Sequence, residues 1–158
     1  MDLPKVASCI EAGLGTQLYH VSFPNNAFDT HVQQPNLHRR LLSYASDAIH
    51  GFVRDMERLG HADRVVLMVY SEFGRRVPEN ANLGTDHGSA NNMFLIGSPI
   101  KGGHYGDPPR LENLIDSGNL AHTTDFRRVY ATLIEDWLRT NSSEILKGSF
   151  KKLPIFLG

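Results

Sequence analysis

At 158 residues the chain can bury a core without disulfides or a structural metal, and it reads as one domain over 1–158. A formal net charge of -1 supplies neither a basic face for nucleic acid nor an acidic tail, and 41% hydrophobic with 21% charged residues is an ordinary globular balance. The single Cys9 excludes an intrachain disulfide framework and a cysteine-based zinc finger, and its place on an apolar stripe reads as core. No apolar run is long enough for a membrane span, and Met-Asp-Leu-Pro-Lys lacks the charged and apolar regions of a signal peptide.

In chain order, Pro4 can open a first helix that carries Val6, Cys9 and Ile10 inward and ends at Gly13-Leu14-Gly15. Leu18 to Phe23 reads as a strand closed by Pro24-Asn25-Asn26. A long helix is expected over roughly Leu37 to Leu59, where Leu41, Tyr44, Ala48, Phe52 and Met56 recur at helical spacing before Gly60. The run Val65-Val66-Leu67-Met68-Val69 reads as a strand buried on both faces. Met93 to Ile96 reads as a third strand. Asp125 to Leu138 reads as an amphipathic helix, with Thr124 as its N-cap and Asp125 in its first turn. This order implies an α/β domain with a mainly parallel sheet flanked by helices.

Three polar signatures fall at the ends of those strands. Asp29-Thr30-His31 follows the first, Ser71-Glu72-Phe73-Gly74-Arg75 follows the second, and Asp86-His87 precedes the third on a long polar loop. Ligands of open α/β sheets bind beyond the carboxyl ends of the strands, so the three can converge on one rim. Imidazole and carboxylate suit a divalent metal, zinc first, with manganese, magnesium or calcium as alternatives. The candidate ligands are Asp29, His31, Asp86 and His87. Arg75 is the candidate for binding an anionic ester, and Glu72 for a ligand or general base. A carboxylate leaving a buried strand needs a partner, and Arg75, His87 or a metal is the expected one for Glu72. An Asp-His pair is also often a hydrogen-bonded couple that fixes an imidazole tautomer, and it is the convergence of the signatures on one rim that favours the metal reading. His38, His104, His122 and Lys101-Gly102-Gly103 are weaker candidates, read first as cap, loop and turn residues.

Phe-Asp-Thr-His, Ser-Glu-Phe-Gly-Arg-Arg, Gly-Thr-Asp-His-Gly, Lys-Gly-Gly followed by Tyr-Gly, and Thr-Thr-Asp-Phe-Arg-Arg-Val-Tyr-Ala-Thr-Leu together resemble the domain-of-unknown-function 1501 family, from about Val6 to Phe156. The resemblance implies mostly exported bacterial proteins, periplasmic or beyond, grouped with the alkaline phosphatase and sulfatase superfamily. It also implies a parallel-sheet fold with Asp/His ligands at its rim. By that resemblance Asp29 and His31 form one ligand group, and Asp86 and His87 match the superfamily's Asp-His pair. The Asp-x-His spacing is shorter than is usual there. Glu72 and Arg75 match the family motif without a settled role.

The resemblance implies that members are usually longer, with an earlier half that in the superfamily supplies the first metal-binding Asp and a Ser, Thr or modified Cys nucleophile. The chain therefore reads as the C-terminal part of a larger, truncated domain, with an exposed sheet edge through which it can associate. Two functional expectations follow. One is a metal-dependent hydrolase of small phosphate or sulfate esters; the other is a non-catalytic metal-binding or assembly module.

Overall fold

The helical periodicities become helices close to their expected positions in the computed structural model, which describes residues 2–157. Helix α1 spans Leu3–Glu11 and helix α2 spans Gln34–Arg58. Each carries a proline, Pro4 or Pro35, in its first turn, where a missing N–H interrupts no intrahelical bond. Gly60, at φ +72°, ends the second helix in a left-handed conformation that a side chain would strain. The two helices pack through Leu3, Ala7, Phe52 and Met56, all buried, with Val6, Ile10, Ala48 and Ile49 against them.

The mainly parallel sheet does not form. Strand β1 (Leu67–Val69) pairs antiparallel with β4 (Phe94–Ile96), placing Leu67 opposite Ile96 and Val69 opposite Phe94. Strand β2 (Gly74–Arg75) pairs antiparallel with β3 (His87–Gly88). A parallel pair requires a crossover, usually a helix, to return the chain to the same end. Between β1 and β4 there is no helix; the chain runs out through β2, turns, and comes back through β3. The expected first strand also fails, because residues 14–23 join no sheet and Leu18 is 77% exposed. From that segment Val21 reaches the α1–α2 core. The segment comes beside the end of β1, with His20 Nε2 3.1 Å from the Tyr70 hydroxyl, yet among the described residues its backbone pairs with no strand; strand-forming residue types alone do not supply that pairing.

The apolar run at β1 has a different explanation from a wide sheet. Leu67 packs into the α1–α2 core, while the next residue, Met68, packs with Val129, Leu153 and Ile155. Alternate side chains of one short strand thus enter two cores on opposite faces. The second core is built by helix α3 (Phe126–Thr132) and the C-terminal segment, which is tied down by Lys101 N–H to Ile155 O at 2.7 Å and Leu157 N–H to Pro99 O at 2.9 Å. Thr132, fully buried, donates to Arg128 O at 2.7 Å and accepts the Leu153 N–H at 2.9 Å, so its hydroxyl is satisfied.

Helix α3 begins one residue later than expected. Asp125, not Thr124, is its N-cap, accepting the Arg127 N–H at 2.9 Å. It continues as a π turn over Leu133–Trp137, and a short helix, α4 (Ser142–Leu146), follows an Asn141 cap. Among the described residues no helix is long and apolar enough to cross a membrane.

Candidate metal centre

The segment that carries Asp29 and His31 and the one that carries Asp86 and His87 are fastened together by Gln34, Arg75 and Gly84. After the turn at Pro24–Asn26, where Asn25 and Asn26 take φ of 57° and 48°, the chain presents Asp29 and His31 just before α2. Gln34, buried at the start of α2, donates to Thr30 O at 2.9 Å and Thr30 Oγ1 at 3.0 Å. Its own Oε1 accepts the Thr85 hydroxyl at 2.8 Å, which links this loop to the one ending at β3. Arg75 closes the same gap from β2, donating to Phe28 O and to Thr85 O at 2.6 Å each. Gly84 completes the join, since a Cβ there would lie 2.3 Å from His31 O. No side chain fits.

The result is a triangle of three atoms. His87 Nε2 lies 2.7 Å from Asp29 Oδ1, His31 Nε2 lies 2.9 Å from the same oxygen, and the two Nε2 atoms are 3.1 Å apart. Asp29, His31 and His87 form a group that can hold a metal ion. The imidazole of His87 is stacked on Phe73, with ring centroids 3.8 Å apart and planes 10° from parallel. That contact sets its ring plane. The Asp29 carboxyl is held below its ordinary value, chiefly by the hydrogen bond from His87 and then by that from His31.

Protons cannot satisfy all three sides of this triangle at once. A carboxylate is acceptor-only and each neutral imidazole carries one N–H. If both Nε2 atoms are protonated, both can reach Asp29 but they face each other as donors; if one is not, its lone pair takes only one of the two contacts. A cation facing the three atoms uses all three lone pairs together. Tetrahedral zinc with bonds of ~2.0–2.1 Å separates its ligand atoms by about 3.3 Å, so the observed triangle is tighter by a few tenths of an ångström. The three side chains are 39–45% exposed, which leaves the outer side open to further ligands.

Three of the four candidate ligands meet, and the fourth stands behind them. Asp86 Oδ1 is 3.6 Å from Nδ1 of His31, the ring nitrogen facing away from the triangle. The same oxygen accepts from Asn80 Nδ2 at 3.2 Å, and this bond is the main reason its carboxyl lies below the ordinary value. Glu72 departs from expectation. It is exposed, and its carboxylate has no ion pair or hydrogen bond among the described residues. The strand before it is only half-buried and ends three residues earlier, so nothing compels the carboxylate to find a partner. Arg75 is half-buried, with burial pulling its pKa down, and both terminal nitrogens face backbone carbonyls rather than the open side of the triangle.

The weaker candidates lie outside the triangle. His104 and His122 are exposed and outside the triangle, and Lys101-Gly102-Gly103 leads into no helix. His38 packs against the Phe28 ring at 5.6 Å, and burial lowers its pKa. Gln34, Asn80 and Thr85 carry no metal-ligand chemistry of their own, so residue type alone does not assign them to the site. The Pro-Glu-Asn-Ala-Asn run signals a turn, but which of its asparagines faces the site depends on contacts far along the chain.

A family model described as "Protein of unknown function (DUF1501)" matches residues 9–148. Searches for similar curated proteins and for similar solved structures find no match.

Proposed function

We propose, for a chain that belongs to the DUF1501 family of proteins of unknown function, a divalent-metal site made by Asp29, His31 and His87, with zinc as its ion and hydrolysis of a small anionic ester as its chemistry. The single observation that carries this reading is the convergence of three lone-pair atoms within 3.1 Å, more than the available protons can satisfy. One carboxylate and two neutral imidazoles leave a dication under-neutralised, so the open side attracts an anion. A three-ligand set with a free position is the arrangement of catalytic rather than structural zinc. A divalent ion held by these three residues would lower the pKa of bound water and stabilise charge developing on an ester oxygen. Asp29 and His31 orient the group from one loop, while Phe73 holds His87 in the matching plane. Arg75 serves by fastening the loops.

A second reading, a metal-binding module without catalysis, is favoured by one feature. Arg75 is turned to carbonyls and Glu72 has no partner among the described residues, so neither of these two supplies a cationic ester clamp or a placed general base beside the triad. Zinc titration followed by calorimetry, together with turnover of generic phosphate and sulfate esters, separates the two. The expected result is about one equivalent of zinc at saturation, with both binding and slow turnover lost in His87→Ala. Binding without turnover would favour the module, and no zinc in the wild type would sink both.

A further inference from the structure

The two imidazoles of the triad are oriented by different means. His87 is held by its stack on Phe73, and among the described residues no carboxylate pairs with its Nδ1. His31 has a carboxylate on the far side of its ring, Asp86, at 3.6 Å from Nδ1. We propose that Asp86 is a positioning residue rather than a ligand: it draws the His31 proton to Nδ1 and so frees the Nε2 lone pair for the metal, and Asn80 holds Asp86 in place for that task.

This rests on the metal reading and adds to it a division of labour within the Asp-His signature. An imidazole binds a cation at Nε2 only when its proton sits on Nδ1, and a carboxylate or carbonyl at Nδ1 commonly fixes that tautomer. Without an ion, His31 is pulled two ways. Asp29, at 2.9 Å from Nε2, favours a proton there, while Asp86 favours it on the opposite nitrogen. An ion held at Nε2 would favour the tautomer with the proton on Nδ1, the nitrogen that faces Asp86. At 3.6 Å the present contact is longer than a hydrogen bond, and a small shift closes it.

Asn80 is built to hold this pair in register. Its amide nitrogen donates to Asp86 Oδ1 at 3.2 Å and to the backbone oxygen of His31 at 3.1 Å. Its amide oxygen accepts the N–H groups of Asn82 at 2.9 Å and Gly84 at 3.1 Å. One side chain therefore ties the carboxylate to the backbone of the histidine it faces.

The test is a Co2+ titration of wild type, Asp86→Asn and Asp86→Ala, read by visible absorption, with the ring N–H protons of the zinc-loaded proteins followed by NMR. Asp86→Ala should bind Co2+ on the order of 10–100-fold more weakly, the usual effect of losing an outer partner. Asp86→Asn should lose less, since its amide oxygen still accepts from Nδ1–H. Cobalt band positions and intensities should stay as in wild type, because the inner ligands are unchanged. The Nδ1–H resonance of His31 should move upfield in Asp86→Asn while that of His87 stays put. Altered cobalt bands would make Asp86 a ligand and overturn the proposal. Unchanged affinity in folded variants, confirmed by circular dichroism, would overturn it as well. A wild type that takes up no Co2+ would remove the metal reading itself, and this inference with it.

Discussion

Asp29 and Asp125 are both held below the ordinary carboxylate range, yet they do opposite things. Asp125 is held at about 2, first by the Arg127 side chain and then by the Arg127 backbone N–H. Its Oδ1 accepts from Arg127 N at 2.9 Å and Nε at 3.0 Å, and its Oδ2 from Nη2 at 2.6 Å. Every partner is a permanent donor with its own proton, so the arrangement is closed. Asp29 has two partners that can each give a proton or a lone pair, and these two also face one another at 3.1 Å. The stronger perturbation marks a helix start, and the unsaturated one marks the candidate site. A depressed pKa alone does not separate them; counting lone pairs against protons does.

The comparison breaks most decisively through the ligands. Asp29→Ala or His87→Ala should weaken zinc binding by more than roughly 100-fold, beyond the ~10–100-fold that outer partners contribute. Asp125→Ala should leave zinc affinity unchanged in the same calorimetric titration. Equal losses in both aspartate variants would erase the distinction drawn above.

Backbone packing gives the next largest effect. Gly84→Ala places a methyl 2.3 Å from His31 O, and should cost about 1–3 kcal/mol as the loop is pushed away. It should weaken zinc binding at the same time. Gly51→Ala, in α2 with nothing within 4 Å of the added Cβ, should instead stabilise by about 0.5–1 kcal/mol. Urea denaturation of both variants checks the pair, and a Gly84→Ala chain as stable as wild type would mean the loops are less tightly joined.

Asp125 sharpens the other side. Replacing this N-cap with alanine should cost about 1 kcal/mol at neutral pH. Its folded pKa lies below the unfolded value of 3.8, so its contribution is complete above that value and lost as pH falls through 3.8 toward about 2. The difference in Tm between wild type and Asp125→Ala should therefore persist at pH 5 and shrink across that window. A difference that grew on acidification would contradict the assignment. The smallest effect belongs to Glu72→Gln, expected within about 0.5 kcal/mol of wild type with zinc binding intact; a clear loss of zinc would return Glu72 to the site.

The sequence by itself determined the helices and the residue types of the site. Helix signals are local, because apolar spacing, an early proline and a terminal glycine act within a few turns, and α1, α2 and α3 lie close to where those signals put them. Asp29, His31, Asp86 and His87 were visible as metal-ligand chemistry for the same reason. Only the tertiary structure decided which of them meet. Side chains of neighbouring extended residues point to opposite sides, so Asp86, just before β3, and His87, its first residue, reach different nitrogens of His31. Sheet pairing is likewise undecided locally: Leu18 to Phe23 has strand-like residues but among the described residues pairs with no strand, and β1 serves two cores through alternate side chains. The joins made by Gln34, Arg75 and Asn80 link residues up to 51 positions apart, a distance over which periodicity carries no information and three-dimensional packing carries all of it.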